Sequence, residues 1–119
     1  MVVDDDASLG RALQRMVRSM DIACELSPSG DDMLARLPGL RPAMVLLDIH
    51  MPDKSGIESL QEMRSRGFDV PTVMMTGVER EGTRDICLSA GAVEVLAKPI
   101  DARTISQLFD RLGGQRSEG

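Results

Sequence analysis

Residues Met44-Val45-Leu46-Leu47-Asp48-Ile49-His50-Met51-Pro52-Asp53-Lys54-Ser55-Gly56 read MVLLDIHMPDKSG, an apolar run that ends in a carboxylate and then in turn residues. Met44 to Leu47 suit a strand covered on both faces. An ionised carboxylate at the tip of such a strand is costly to bury alone, so Asp48 is either exposed at an edge or held by a cation. Pro52, Asp53 and Gly56 turn the chain away, and Ser55 with Glu58 three positions on matches a helix capping box. The local order is therefore strand, acidic tip, loop, helix. In open parallel sheets ligands bind at the carboxyl ends of strands, which is where Asp48 stands.

The same alternation extends in both directions. Val2 and Val3 precede the acidic cluster Asp4-Asp5-Asp6 and read as the end of a first strand whose beginning lies outside this sequence. Leu9, Leu13, Met16, Val17 and Met20 follow helical spacing over Ser8 to Met20, with Arg11, Arg15 and Arg18 on other faces. A second strand is expected over Ile22 to Leu26, then a helix opened by Ser29 and ended by Pro38 and Gly39. After the strand at Met44 to Asp48 comes a helix from Ser55 to about Arg66, closed by Gly67. Thr72 to Thr76 forms a fourth strand and Glu79 to Ala90 a weaker helix stopped by Gly91. Val93 to Ala97 forms the fifth strand, ending at Lys98-Pro99, and Ile105, Leu108, Phe109 and Leu112 mark a last helix.

Alternating strands and helices imply an α/β fold: a doubly wound, five-stranded parallel sheet with helices on both faces, since each crossover is right-handed and buries its helix on the sheet. The common strand order, 2-1-3-4-5, sets the ends of strands one and three side by side. Residues 1–112 make one domain, and 113–119 (GGQRSEG) read as a flexible tail or the start of a linker.

That topology gathers the polar residues of the strand ends on one rim: Asp4 and Asp5 after the first strand, Asp48 after the third, Thr76 after the fourth, Lys98 after the fifth. Each has an ordinary structural reading when taken singly, as a solvated turn, a strand end or a cap. Together they describe chemistry. Three clustered carboxylates resist ionising unless a hard, oxygen-preferring divalent cation such as Mg²⁺ sits among them. With that cation, Asp48 can attack a phosphoryl group, Lys98 drawing charge from its oxygens and Thr76 donating a hydrogen bond to one of them. Asp6 is an extra acid at the helix start and Asp53 belongs to loop structure.

Composition narrows the partners. The chain has 119 residues, 42% hydrophobic and 28% charged, with formal net charge −5. Its 14 Lys and Arg are spread thinly, and two Phe with no Trp or Tyr leave no stacking surface, so direct nucleic-acid binding by this domain is not expected. No run is long enough to cross a bilayer, and the start does not read as a secretory signal, so a cytoplasmic location is expected. Cys24 and Cys87 lack metal-ligand spacing and read as small buried thiols.

The segments VVDDD, LLDIHMPDKSG, VMMTG and AGAVEVLAKPI, in this order and spacing, resemble the receiver domain of two-component response regulators across nearly the whole chain. The resemblance implies a flavodoxin-like receiver fold and a phosphoacceptor signalling module rather than an enzyme acting on other substrates. Asp48 is then the phosphoacceptor, Asp5 a direct Mg²⁺ ligand, Asp4 a ligand largely through water, and His50 a ligand through its backbone carbonyl. Thr76 matches the switch hydroxyl, Lys98 the phosphate-binding lysine, and a cis peptide is implied before Pro99. The implied partners are a histidine kinase or histidine phosphotransfer protein and an output domain or downstream protein, with phosphorylation-dependent dimerisation. His50 and Val78 would flank the path of the water that hydrolyses the phosphoryl group.

One residue departs from the family pattern. Three positions before the lysine the family commonly has Phe, Tyr or His, and here Val95 stands. A swinging ring cannot operate there, so signal output is expected to use the loop after Thr76 and the fourth helix. Two other readings compete. An aspartyl-nucleophile phosphatase of the haloacid-dehalogenase type needs an acid two residues after the nucleophile, where His50 stands. A pseudo-receiver scaffold is opposed by the intact Asp5, Asp48, Thr76 and Lys98.

Overall fold

Asp48 ends a strand buried at every residue, Val45–Asp48, here called β3. The computed structural model describes residues 1–112 of the chain; the expected tail, 113–119, lies outside the described residues. Around β3 the elements run β1 (Val2–Val3), α1 (Ala7–Arg18), β2 (Leu26–Ser27), α2 (Gly30–Leu40), then α3 (Gly56–Ser65), β4 (Thr72–Thr76), α4 (Thr83–Ser89), β5 (Glu94–Ala97) and α5 (Ala102–Arg111). All pairings are parallel, and the sheet order is β2-β1-β3-β4-β5, as expected.

Strand residues alternate between two cores because successive side chains leave opposite faces of a sheet. Val3, Val45, Leu47, Met74 and Val95 meet Met33, Leu37, Leu60, Met63 and Cys87 on the α2–α4 side. Val2, Leu46, Val73 and Met75 meet Val17, Ile105, Leu108 and Phe109 of α1 and α5. Met33, Leu37, Leu60, Met63, Met74 and Ile105 are fully buried, and each such side chain stabilises the fold by roughly 1.5–3 kcal/mol.

Helix starts follow the expected caps. Asp6 accepts from the N–H groups of Ser8 and Leu9, Ser29 from Asp32, and Ser55 with Glu58 completes the capping box. Three boundaries differ most from expectation. Strand β2 is Leu26–Ser27, paired with Val2 and Val3, rather than Ile22 to Leu26, although Ile22 and Cys24 are buried as the alternation requires. Helix α2 continues through Pro38 and Gly39 to Leu40, because Pro38 falls in its last turn and the Arg41 N–H still closes on the Leu37 carbonyl. Helix α4 begins only at Thr83: Gly82 precedes it with φ +85°, a left-handed conformation that a helix cannot include, and no side chain caps the start. No helix among the described residues is long and apolar enough to cross a membrane.

Candidate functional site

The register of the sheet decides which strand ends meet. Val3 is opposite Leu47, so Asp4 follows β1 beside Asp48 at the end of β3. Thr76 is opposite Ala97, so Lys98 follows β5 beside it, and the Lys98 N–H donates to the Thr76 carbonyl at 2.8 Å.

From this backbone position the Lys98 ammonium reaches across the rim. Its Nζ lies 3.1 Å from Asp4 Oδ2 and 3.3 Å from Asp48 Oδ2, so one cation serves two buried carboxylates, 2% and 4% exposed. The other Asp4 oxygen accepts the Asp6 N–H at 2.9 Å, and the other Asp48 oxygen accepts the His50 N–H at 3.2 Å. The carboxylate of Asp5 is exposed and makes no hydrogen bond or ion pair with the described residues.

These partners do not cancel the cost of burying Asp48. Burial pushes its carboxyl above the usual range, the Lys98 charge pulls it down by less, and Asp4 pushes it up again. For Lys98, burial acts to lower the ammonium, but the hydrogen bond to Asp4 and the charges of Asp48 and Asp4 together hold it above its usual value. Lys98, beside two buried carboxylates, thus holds its proton more tightly than a free lysine, and Asp48 holds its proton more tightly than a free carboxylate.

Carboxylate oxygens of Asp4, Asp5 and Asp48 all lie within 4.8 Å of one another. A donor set of oxygens alone, carrying more negative charge than Lys98 neutralises, fits a hard divalent cation such as Mg²⁺. The close approach of α3 maintains this geometry. A Cβ on Gly56 would stand 2.1 Å from the Asp48 carbonyl oxygen and 2.8 Å from Ile49 Cα, so only glycine lets α3 start against the end of β3.

Thr76 is placed differently. Its side chain is buried, and its hydroxyl donates to the Val78 carbonyl at 2.7 Å while accepting the Val78 N–H at 3.2 Å. The Lys98–Pro99 peptide is cis, as the resemblance implied. Of the rim residues, Asp4, Asp5, Asp48 and Lys98 are thus brought together directly, Thr76 through the backbone of Lys98, and His50 through its N–H. The crowding at Gly56 was missed by sequence reasoning, although a glycine at the first position of a capped helix was a usable signal.

A family model described as "Response regulator receiver domain" matches residues 1–110. The chain belongs to the response regulator receiver family. Among curated relatives, the response regulator MprA of Mycobacterium sp. (strain KMS) is 34% identical over 99 residues, covering 83% of this chain and 43% of that protein. The acid tolerance regulatory protein ActR of Rhizobium meliloti (strain 1021) is 29% identical over 118 residues, covering 99% of this chain and 61% of that protein. The receiver chain thus spans about half the length of the curated relatives it matches. In structure it resembles the response regulator 1452 receiver domain of Francisella, with TM-score 0.86 at 19% identity over 93% of this chain and 92% of that one. That last likeness speaks to the receiver fold alone.

Proposed function

We propose that this domain accepts a phosphoryl group on Asp48, in a Mg²⁺-dependent reaction, from a histidine kinase or histidine phosphotransfer protein. The observation that carries the reading is the Lys98 ammonium held between Asp4 and Asp48 at the meeting point of β1, β3 and β5. Bound beside Asp4, Asp5, Asp48 and the His50 carbonyl, Mg²⁺ would supply charge neutralisation for phosphoryl oxygens.

The chain's own groups do the rest. An Asp48 carboxylate oxygen attacks phosphorus in line, the P–O bond forms as the P–N bond to the donor imidazole breaks, and the leaving nitrogen keeps its electron pair. Lys98, tethered through its backbone to Thr76, is placed to follow the new negative charge. The Thr76 hydroxyl can donate to a phosphoryl oxygen only by releasing the Val78 carbonyl, so residues 77–82 are drawn along. With Val95 in place of a ring, that loop and the face of α4, β5 and α5 carry the signal to an output domain or downstream protein, with phosphorylation-dependent dimerisation as one form of output. On this reading residues 1–112 are a cytoplasmic signalling module that promotes only its own phosphorylation and dephosphorylation.

Incubation with acetyl phosphate tests it. The parent should gain one phosphoryl mass with Mg²⁺ and none in EDTA, and Asp48→Asn should gain none. Equal labelling of parent and Asp48→Asn would remove Asp48 from the reaction.

A further inference from the structure

The loop between β3 and α3, residues 49–55, carries the His50 N–H that supports Asp48, and its turn is tight. Asp53 has φ +65°, and the Lys54 N–H donates to the Pro52 carbonyl at 2.8 Å. A left-handed aspartate in a short loop holds its shape only when neighbours impose it.

Lys54 supplies that constraint from an unexpected direction. Its ammonium leaves the loop and lies 2.8 Å from Asp31 Oδ1 in the first turn of α2 and 2.5 Å from Glu62 Oε1 in the middle of α3. Glu62 is itself paired with Arg66. Helices α2 and α3 touch here through small residues: a Cβ on Gly30 would come within 1.9 Å of Ser59 Oγ. Ser59 is fully buried, with its hydroxyl on the Ser55 carbonyl at 2.8 Å. The loop is therefore held at both sides, by the approach of Gly56 to β3 and by the ion pairs of Lys54 with α2 and α3.

We infer that Lys54 is a positioning residue for the phosphoacceptor site, holding residues 49–55 so that the main chain of His50 stays beside Asp48 and in reach of a divalent cation. The inference rests on the Mg²⁺-dependent reading of the site given above. Lys54 itself touches neither the acidic cluster nor the reacting atoms; it acts through the loop.

Calorimetric titration with Mg²⁺ alone tests this. At about 0.02 M NaCl, where exposed ion pairs are weakly screened, Lys54→Met should bind Mg²⁺ about fivefold more weakly than the parent. Lys54→Arg should restore binding to within about twofold, since it keeps the charge. At about 0.5 M NaCl the ratio between Lys54→Met and the parent should close toward one. A residue that only filled space would show neither the rescue nor the closing ratio. Asp31→Asn keeps the lysine and removes one anchor, and should give part of the loss should Lys54→Met fold poorly. Unchanged Mg²⁺ affinity in both Lys54→Met and Asp31→Asn, with binding abolished in Asp48→Asn, overturns the tether and leaves the metal site standing. Unchanged affinity in Asp48→Asn as well overturns the metal site itself.

Discussion

The Thr76 hydroxyl donates to the carbonyl of Val78 at 2.7 Å and accepts the Val78 N–H at 3.2 Å, so a single side chain closes the start of the loop between β4 and α4. A hydroxyl has one proton, and a phosphoryl oxygen can take it only in exchange for the Val78 carbonyl. On the proposed reading, phosphorylation would be coupled to loop movement through this one hydrogen bond.

Hydrogen exchange at the Val78 amide reads that bond. Thr76→Val should speed exchange there, and Thr76→Ser should leave it nearly unchanged. The bond's net worth of about 0.5–1.5 kcal/mol corresponds to roughly a two- to tenfold change in protection. In the parent, beryllofluoride with Mg²⁺ should move the amides of residues 77–82 and α4; shifts confined to α1 and α2 would contradict the coupling.

Asp48 should cost the metal-free fold stability at neutral pH. Its folded-state pKa is raised, chiefly by burial, so the fold favours the protonated acid. That contribution is fully present below the unfolded carboxylate pKa and is lost as pH rises through the raised folded value. Asp48→Asn, which is neutral throughout, should therefore be more stable than the parent in EDTA at pH 7, with the difference shrinking as pH falls through the Asp48 titration. Added Mg²⁺ should stabilise the parent and leave Asp48→Asn nearly unmoved. Urea melts of both proteins at several pH values check the sign; a less stable Asp48→Asn at pH 7 would reverse the account of this carboxylate.

Two glycines separate crowding from helix propensity. Gly56→Ala puts a methyl 2.1 Å from the Asp48 carbonyl and should destabilise by at least about 2 kcal/mol, with loss of phosphorylation. Gly39→Ala, in α2 with nothing within 4 Å of the added Cβ, should instead stabilise by about 0.5–1 kcal/mol. Chemical denaturation of the pair is sufficient.

Phosphoryl lifetime should answer to Val78, which is 57% exposed beside Thr76 and has no group to orient a water. Val78→Glu should hydrolyse the phosphorylated protein several-fold faster, below the ~10²–10⁴ of a fully positioned general base. Loss of phosphate, followed with time in Mg²⁺ buffer, measures it; an unchanged lifetime would place the water path elsewhere.

The parts legible in the sequence were those decided locally. The Val45–Asp48 strand, the helical spacing of Leu13, Met16, Val17 and Met20 and of Ile105, Leu108 and Phe109, and the caps at Ser29 and Ser55 each follow from nearby residues, whereas Leu9, expected on the same face of α1, is exposed. Once strands and helices alternate, the sheet order brings Asp4, Asp5, Asp48 and Lys98 to one rim without further information. What was not legible depends on distant partners. The survival of α2 past Pro38 is set by its place in the last turn, and the direction of the Thr76 hydroxyl by the loop it closes. Lys54 in PDKSG reads as a loop lysine until α2 and α3 bring Asp31 and Glu62 to it.

Borohydride reduction converts an aspartyl phosphate to homoserine, so peptide mapping after acetyl phosphate labelling identifies the acceptor residue by mass. The account predicts homoserine at position 48 in the Mg²⁺-treated parent and at no position in EDTA or in Asp48→Asn. Homoserine at position 4, 5 or 53, or stable labelling with position 48 unmodified, would contradict it.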